Sequence, residues 1–506
     1  EGSCRMLRCS LLLSRRFPLG GRATLFPGRH PERLCSATAS SSSSSSKSNP
    51  PSSVSAALTR FIADKIRVSG PISVAEYMKT AVASSSVGYY GQHSQQHQVF
   101  GESGDFITAP ELTQLFGEML AIWCYYELAN TGPNNTWQLI ECGPGSGQLS
   151  ADLLRVMHKF GEKKLSLHLI EASEALIDTQ EKLLCGKEAK NTRSAPAQGE
   201  EHHIRANKTP EGVQVYWYNN IDDVPDGFSV FVANEFLDAL PIHQFVRAEG
   251  EGAKGGSEGA EQGWHEIYIG LDGECRLSFV RSPGDNLHTK GLIPEDIRLC
   301  RSAWETSPDA GTVVNQIADR IMNFGGFALL VDYGHDGSRR DLSLRAYSKH
   351  RQVDPLSAPG AVDITADVNF GFLKSLVEDR LLVFGPIEQR EFLGQMGIGL
   401  RLRRIVQSAQ DKQQAEHLIK SYNLLMGGDA EDGMGEKFKA MALFPRTLQG
   451  IMEKRGGAPS GFVTVANTVV EERTVQIRDK NTVSGETIQA RRDTIKGKRL
   501  ESPEEV

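Results

Sequence analysis

The chain has 506 residues, 39% hydrophobic and 24% charged, with a formal net charge of -7. That length admits two or three domains and a large core, and the negative balance excludes a broad nucleic-acid footprint. No apolar run reaches the ~18 to 20 residues needed to span a bilayer, so the folded part is expected to be soluble.

From Met6 onward the chain carries six arginines and a single acid, Glu32, before a serine run at 40–46. This arginine-rich, acid-poor composition predicts a mitochondrial transit peptide and linker over 1–53. The eight cysteines show no CxxC pair, and Cys124 and Cys142 sit in apolar runs, as packed thiols in a reducing compartment do.

Residues 54–135 read as a helical N-terminal cap. Leu58, Ile62 and Ile66 recur four apart, "SGPIS" breaks the pattern, and a second helix follows. After a serine-, histidine- and glutamine-rich loop (84–98), Pro110 and Glu111 mark a helix start that carries Leu112, Leu115, Phe116, Met119 and Leu120 on one face.

The main core is expected over 136–465. The runs "TWQLIEC", "LSLHLIE", "VQVYW", "FSVFVAN" and "GFALLVD" are buried-strand candidates, with helical segments such as 148–160 and 312–324 between them. Strands alternating with helices predict an α/β fold, a doubly wound and mainly parallel sheet covered on both faces. Two glycine-rich polar loops, 186–212 and 249–263, interrupt it. The second lies between "IHQFVRA" and "WHEIYIG", predicting a small antiparallel insertion at about 241–300. His202 and His203 are adjacent but have no third ligand nearby, so no metal site is expected. A charged tail over 466–506 is expected to be disordered.

Ligands of such folds bind beyond the carboxyl ends of the strands, which directs attention to "LIECGPGSGQLSADLL" (139–154). A P-loop needs GxxxxGK[ST], a dinucleotide turn needs GxGxxG, and a nucleophile elbow needs GxSxG; none fits. What remains is an acid followed by spaced glycines: Glu141, Gly143, Gly145 and Gly147. This arrangement resembles motif I of the class I S-adenosylmethionine-dependent methyltransferases. The glycines would let the backbone approach a cofactor, and Glu141 could accept from a methionine ammonium. Glu171, closing the next run, could take both hydroxyls of a ribose. Glycine also serves tight turns generally, and an acid at a strand end is commonly solvated.

The fourth run exits through Asn234, Glu235 and Asp238. A helical turn would set the two acids on one face, where paired carboxylates suit a planar guanidinium. A capping Asn with two solvated acids is the ordinary alternative.

The blocks "GDFITAPELTQLFGE", "LIECGPGSGQLSADLLR", "ANEFLDALPIHQF", "LLVDYGHDG", "VDITADVNF" and "GPIEQREFL" together resemble the MidA family, and within it the mitochondrial branch, from about Thr59 to Phe462. That resemblance implies a class I methyltransferase core with a helical N-terminal extension and S-adenosylmethionine as cofactor. It also implies residence in the mitochondrial matrix, and symmetric dimethylation of an arginine on a core subunit of the peripheral arm of complex I, in support of that complex's assembly. On this basis Glu141, Gly143, Gly145, Gly147 and Glu171 are assigned to the cofactor, Glu235 and Asp238 to catalysis, and Asp105, Glu111 and Asn234 to the substrate side of the pocket. Asp332 and His335 after the fifth strand, and Gln389 and Phe392, are weaker candidates. A methyltransferase with another acceptor, or a non-catalytic assembly scaffold, are the competing readings.

Overall fold

The computed structural model describes residues 53–82, 88–89, 108–133, 135–186, 202–247, 263–349, 351–428 and 433–463. The expected transit segment, most of the 84–98 loop, Asp105, most of both glycine-rich loops and the 466–506 tail lie outside the described residues.

The N-terminal segment forms α1 (Ser53–Ser69), a short strand β1 (Ile72–Ser73), α2 (Val74–Ala81), α3 (Ala109–Leu112) and α4 (Gln114–Thr131). The core continues with β2 (Trp137–Cys142), α5 (Gln148–Lys159), β3 (Leu165–Ile170), α6 (Glu174–Cys185), β4 (Arg205–Lys208), β5 (Gln214–Tyr218) and β6 (Ser229–Asn234). Next come β7 (His243–Arg247), β8 (Trp264–Leu271), β9 (Leu277–Arg281), α7 (Leu287–Leu292), α8 (Glu295–Cys300) and β10 (Ala303–Thr306). The chain returns through α9 (Pro308–Phe324) and β11 (Gly326–His335) to β12 (Arg345–Ser348), β13 (Arg351–Val353), β14 (Asp363–Thr365), β15 (Val368–Asn369) and α10 (Phe370–Ser375). It closes with β16 (Leu381–Glu388), α11 (Gln389–Gln395), α12 (Ile398–Gln407), α13 (Lys412–Met426), α14 (Met434–Lys437), β17 (Phe438–Pro445) and α15 (Gln449–Lys454).

All five expected runs are strands of one nine-stranded sheet, ordered β16-β17-β11-β6-β2-β3-β5-β4, with β15 on β11. The central pairings β2/β3, β3/β5, β2/β6 and β6/β11 are parallel, and β4, β17 and β16 are antiparallel additions. The runs are largely apolar because successive side chains go to opposite faces that are both covered. In β6, Val230 and Val232 enter the core on one side, and Phe231 and Ala233 enter the core on the other. The first side is covered by α4, α5 and the α11–α13 helices, whereas α9 covers the second with Val314, Ile317 and Ile321. α9 starts at Pro308, with the Ser307 hydroxyl accepting from Ala310 N, and stops at Gly325 with φ 79.

The helix start at Pro110 and Glu111 and the apolar face from Leu112 to Leu120 predict one helix, but the structure divides it. Thr113 takes extended backbone (φ -171, ψ 141), and its hydroxyl accepts from Leu115 N at 3.3 Å, so it ends α3 and caps α4. A separate antiparallel sheet orders β1-β8-β7-β10, with β9 on β8. Because Ile72 pairs with Ile269, the N-terminal segment and the insertion share that sheet and one apolar cluster that includes Ile62, Tyr77 and Ile267.

Candidate active site

The strand order reverses at β2: β3 and β5 run outward on one side, β6 and β11 on the other. At such a switch point the loops leaving adjacent strands part and open a crevice. Here a cavity of about 330 Å³ lies beyond the ends of β2, β3 and β6, within the size range of small-molecule sites.

The turn after β2 forms its floor. Gly143, Gly145 and Gly147 have φ of 67, 54 and 86, a region that L side chains rarely adopt. A Cβ on Gly143 would stand 2.5 Å from Phe236 Cδ2. Gly147 starts α5 rather than lining the cavity, and its Cβ would meet Gln180 Cγ at 3.2 Å. Glu141, only 2% exposed, reaches the cavity beneath this turn, and the Ser150 hydroxyl donates to its Oε2. Burial pushes the Glu141 carboxyl up to about 7, against that hydrogen bond.

Glu171 follows β3 and lines the cavity. Its Oε1 accepts from Ser173 N at 2.8 Å, and its Oε2 accepts from Gln180 Nε2 at 3.1 Å. Burial pushes this carboxyl up to about 7 as well, with the two donors opposing. Gln180 is the link that sequence reasoning missed. Its Nε2 also donates to Gly145 O at 2.8 Å, and its Oε1 accepts from Trp217 Nε1 at 2.9 Å.

Glu235 and Asp238 both line the cavity, but no helical turn joins them. Glu235 takes a left-handed φ of 50, and the backbone bends sharply after β6. Asp332, within β11 beside β6, holds the bend: its Oδ2 accepts from Phe236, Leu237 and Asp238 N at 3.1, 2.8 and 3.3 Å. Glu235 Oε1 accepts from Ala109 N at 2.9 Å and Asn234 Nδ2 at 3.2 Å. Glu235 Oε2 and Asn234 Oδ1 are buried with no hydrogen-bond partner among the described residues.

Burial pushes the Glu235 carboxyl up to about 8, and the charge of Asp238 adds to the shift. Burial, then the charge of Asp363, pushes Asp238 up to about 7, with Arg345 opposing. Asp363 on β14 also lines the cavity, a third acid on this side that sequence reasoning passed over. Asp238 is buried, and Glu235 is half-buried with its Oε2 out of solvent, so neither is the solvated cap of the ordinary alternative.

The remaining candidates separate. Thr108 and Pro110 line the cavity, whereas Glu111 does not, although its charge helps raise Glu235. His335 serves a turn, with Nδ1 accepting from Gly337 N at 3.0 Å. Gln389 donates to Leu425 O at 3.0 Å, and Phe392 packs edge-on to Trp123 in the core; neither lines the cavity.

Among the described residues the charged lining is entirely acidic, Glu141, Glu171, Glu235, Asp238 and Asp363, set among apolar groups such as Leu149, Ile170 and Leu176. An orphaned carboxylate oxygen and an orphaned amide oxygen in one cavity call for a ligand rich in donors and positive charge. S-adenosylmethionine, with its ammonium, ribose hydroxyls and sulfonium, fits that set.

Comparison with known proteins agrees. A family described as "Putative S-adenosyl-L-methionine-dependent methyltransferase" matches residues 119–387. A Caenorhabditis elegans protein named "Protein arginine methyltransferase NDUFAF7 homolog, mitochondrial" is 58% identical over 407 residues, covering 80% of this chain and 90% of the relative. A Homo sapiens protein named "Protein arginine methyltransferase NDUFAF7, mitochondrial" is 36% identical over 410 residues, covering 80% and 87%. A Burkholderia thailandensis crystal structure, described as a likely methyl transferase bound to S-adenosyl-homocysteine, superposes with a TM-score of 0.61 at 25% identity, covering 79% of this chain and 95% of that one. The glycine turn at the switch point, the acid-lined cavity beyond it and these matches lead to one conclusion: the chain belongs to this family of S-adenosylmethionine-dependent methyltransferases.

Proposed function

We propose that this chain is a protein arginine methyltransferase, working in the mitochondrial matrix. Its acceptor would be an arginine on a core subunit of the peripheral arm of complex I, which it dimethylates symmetrically during assembly of that complex. The observation that carries the reaction type is the pair of acids, Glu235 and Asp238, in the cavity that also contains the glycine turn. The names of the relatives, which specify a mitochondrial protein arginine methyltransferase, support the acceptor class and the compartment. The complex I assignment and the matrix follow from the MidA resemblance.

S-adenosylmethionine, when bound, supplies an electrophilic methyl group. Glu141 would accept from its ammonium, Glu171 would grip its ribose, and Gly143 and Gly145 would leave room for its close approach. Glu235 and Asp238 would orient the guanidinium, whose planar donors match two carboxylates. The nitrogen that gains a methyl group must lose a proton, and Glu235 Oε2 is a buried acceptor with no hydrogen-bond partner among the described residues. Its carboxyl, pushed up to about 8, is poised to take a proton near neutral pH. Asn234 and Asp332 hold that carboxylate and the bend behind it.

The test is incubation of the purified chain with labelled S-adenosylmethionine and mitochondrial extract, followed by mass spectrometry of modified arginines. Symmetric dimethylarginine on a complex I peripheral-arm subunit is expected. Transfer to another residue type would overturn the acceptor, and cofactor binding without transfer would favour a scaffold. Glu235→Gln is expected to lower turnover by about 10² to 10⁴ while cofactor affinity is retained. An equal loss in both would move Glu235 to the cofactor side.

A further inference from the structure

Glu266, in β8 of the insertion sheet, is fully buried, yet among the described residues no lysine or arginine forms an ion pair with it. Two imidazoles meet it instead. His243 Nδ1 lies 2.7 Å from Oε1, and His288 Nδ1 lies 3.0 Å from both oxygens. The two rings stand 4.5 Å apart at 65°. They come from β7 and α7, more than twenty residues either side of Glu266 in sequence. The Tyr268 hydroxyl and Asn286 Nδ2 donate to Oε2 at 2.9 and 2.7 Å, while Glu266 N donates to Ser282 Oγ at 3.0 Å.

We propose that His243, Glu266 and His288 form a binding site for a divalent transition-metal ion of the zinc class, outside the methyltransferase cavity. The ligand atoms of the three residues all lie within 4.8 Å of one another. Two imidazoles and one carboxylate are a recurrent zinc set that leaves a fourth position open. His288, whose side chain is 48% exposed, gives that position access to solvent.

The surroundings match such a site. Ligating carboxylates are themselves held by outer hydrogen bonds, and Tyr268 and Asn286 hold Oε2 while Oε1 faces the rings. A zinc ion at about 2.0 to 2.2 Å from each atom sets its ligands roughly 3.3 Å apart. The present separations of 2.7 and 3.0 Å reach that by a small side-chain rotation. Both rings would bind through Nδ1, moving their proton to Nε2. A divalent cation would also compensate the charge of a buried carboxylate, which hydrogen bonds alone leave without a permanent counter-charge.

Sequence gave no motif for this site, because its ligands stand on three elements. The consequence reaches the cavity wall: β7 begins three residues after Leu240, which lines the cavity. An ion here would pin that strand to α7.

The test uses the full chain, stripped by a chelator and titrated with zinc by calorimetry and with cobalt by visible absorption. One equivalent of each is expected to bind, with the intense d–d bands of a tetrahedral site for cobalt. His288→Ala, at the half-exposed ligand, is expected to weaken binding at least tenfold without altering the circular dichroism of the metal-free chain. His243→Ala should do the same and serves as the second variant if the first fails to fold. Absence of saturable binding would overturn the proposal and leave Glu266 as the centre of a hydrogen-bonded network. Wild-type affinity in both variants would overturn it as well, placing the ion elsewhere. Neither readout depends on methyl transfer.

Discussion

Gln180 Nε2 lies 3.1 Å from Glu171 Oε2, and the same nitrogen lies 2.8 Å from the carbonyl of Gly145. One buried amide therefore sets the distance between the glycine turn and the acid after the neighbouring strand. Its own position is fixed by Trp217, which donates to its oxygen at 2.9 Å. Hydrogen bonds to charged groups are worth about 1.5 to 3 kcal/mol. Gln180→Leu is therefore expected to weaken cofactor affinity on the order of tenfold to a hundredfold, with a smaller effect on turnover at saturation. Calorimetry with S-adenosyl-homocysteine checks the first and single-turnover kinetics the second; unchanged affinity would remove Gln180 from the site.

A second expectation concerns Gly143. Its φ of 67 and the 2.5 Å approach of an added Cβ to Phe236 act together. Gly143→Ala should cost about 1 to 2 kcal/mol from the left-handed conformation alone. It should also displace Phe236, the residue after Glu235, so both cofactor affinity and turnover fall. Chemical unfolding measures the first loss; a variant as stable and as active as the parent would contradict the geometry.

The third expectation is a pH dependence. Glu141, Glu171, Glu235 and Asp238 all have folded-state values raised by burial, to about 7, 7, 8 and 7, from ordinary values of 4.5 or 3.8. A raised carboxyl binds its proton more tightly in the folded state, so its stabilising effect is full below the ordinary value and is lost as pH rises through the raised one. Without ligand, the protein should lose stability as pH rises between about pH 4.5 and about pH 8, because the folded state gives up these protons later than the unfolded chain does. Glu235→Gln should flatten this slope at its upper end. Urea unfolding across that range, compared between the two proteins, decides it, and parallel slopes would count against a raised Glu235.

Much of the core was legible because strands covered on both faces leave short, mostly apolar runs, and Glu141, Glu171 and Asn234 stand at or just past the ends where ligands bind. The glycine turn was legible for the same reason that makes it useful: few residues tolerate three positive φ values within five positions. The break at Thr113 was not, since the apolar pattern continues across it and a side-chain cap decides the matter. The grouping of Glu235 with Asp238 was anticipated, though for a different cause: a left-handed residue and the Asp332 carboxylate replace the helical turn. Gln180, Asp363 and the His243–Glu266–His288 group carry no local signal, because each acquires its neighbours only through the assembled sheets.

The 2.9 Å hydrogen bond from Ala109 N to Glu235 Oε1 reaches across 126 residues. It makes the α3 backbone part of the environment that sets the proton affinity of this acid. The boundary at about 136, natural as a line between cap and core, therefore cuts through the chemistry. A truncated catalytic fragment starting there would keep every strand of the central sheet and still have an altered acid, with a different pH optimum. Grafting the core onto another N-terminal segment would retune the enzyme rather than merely remount it.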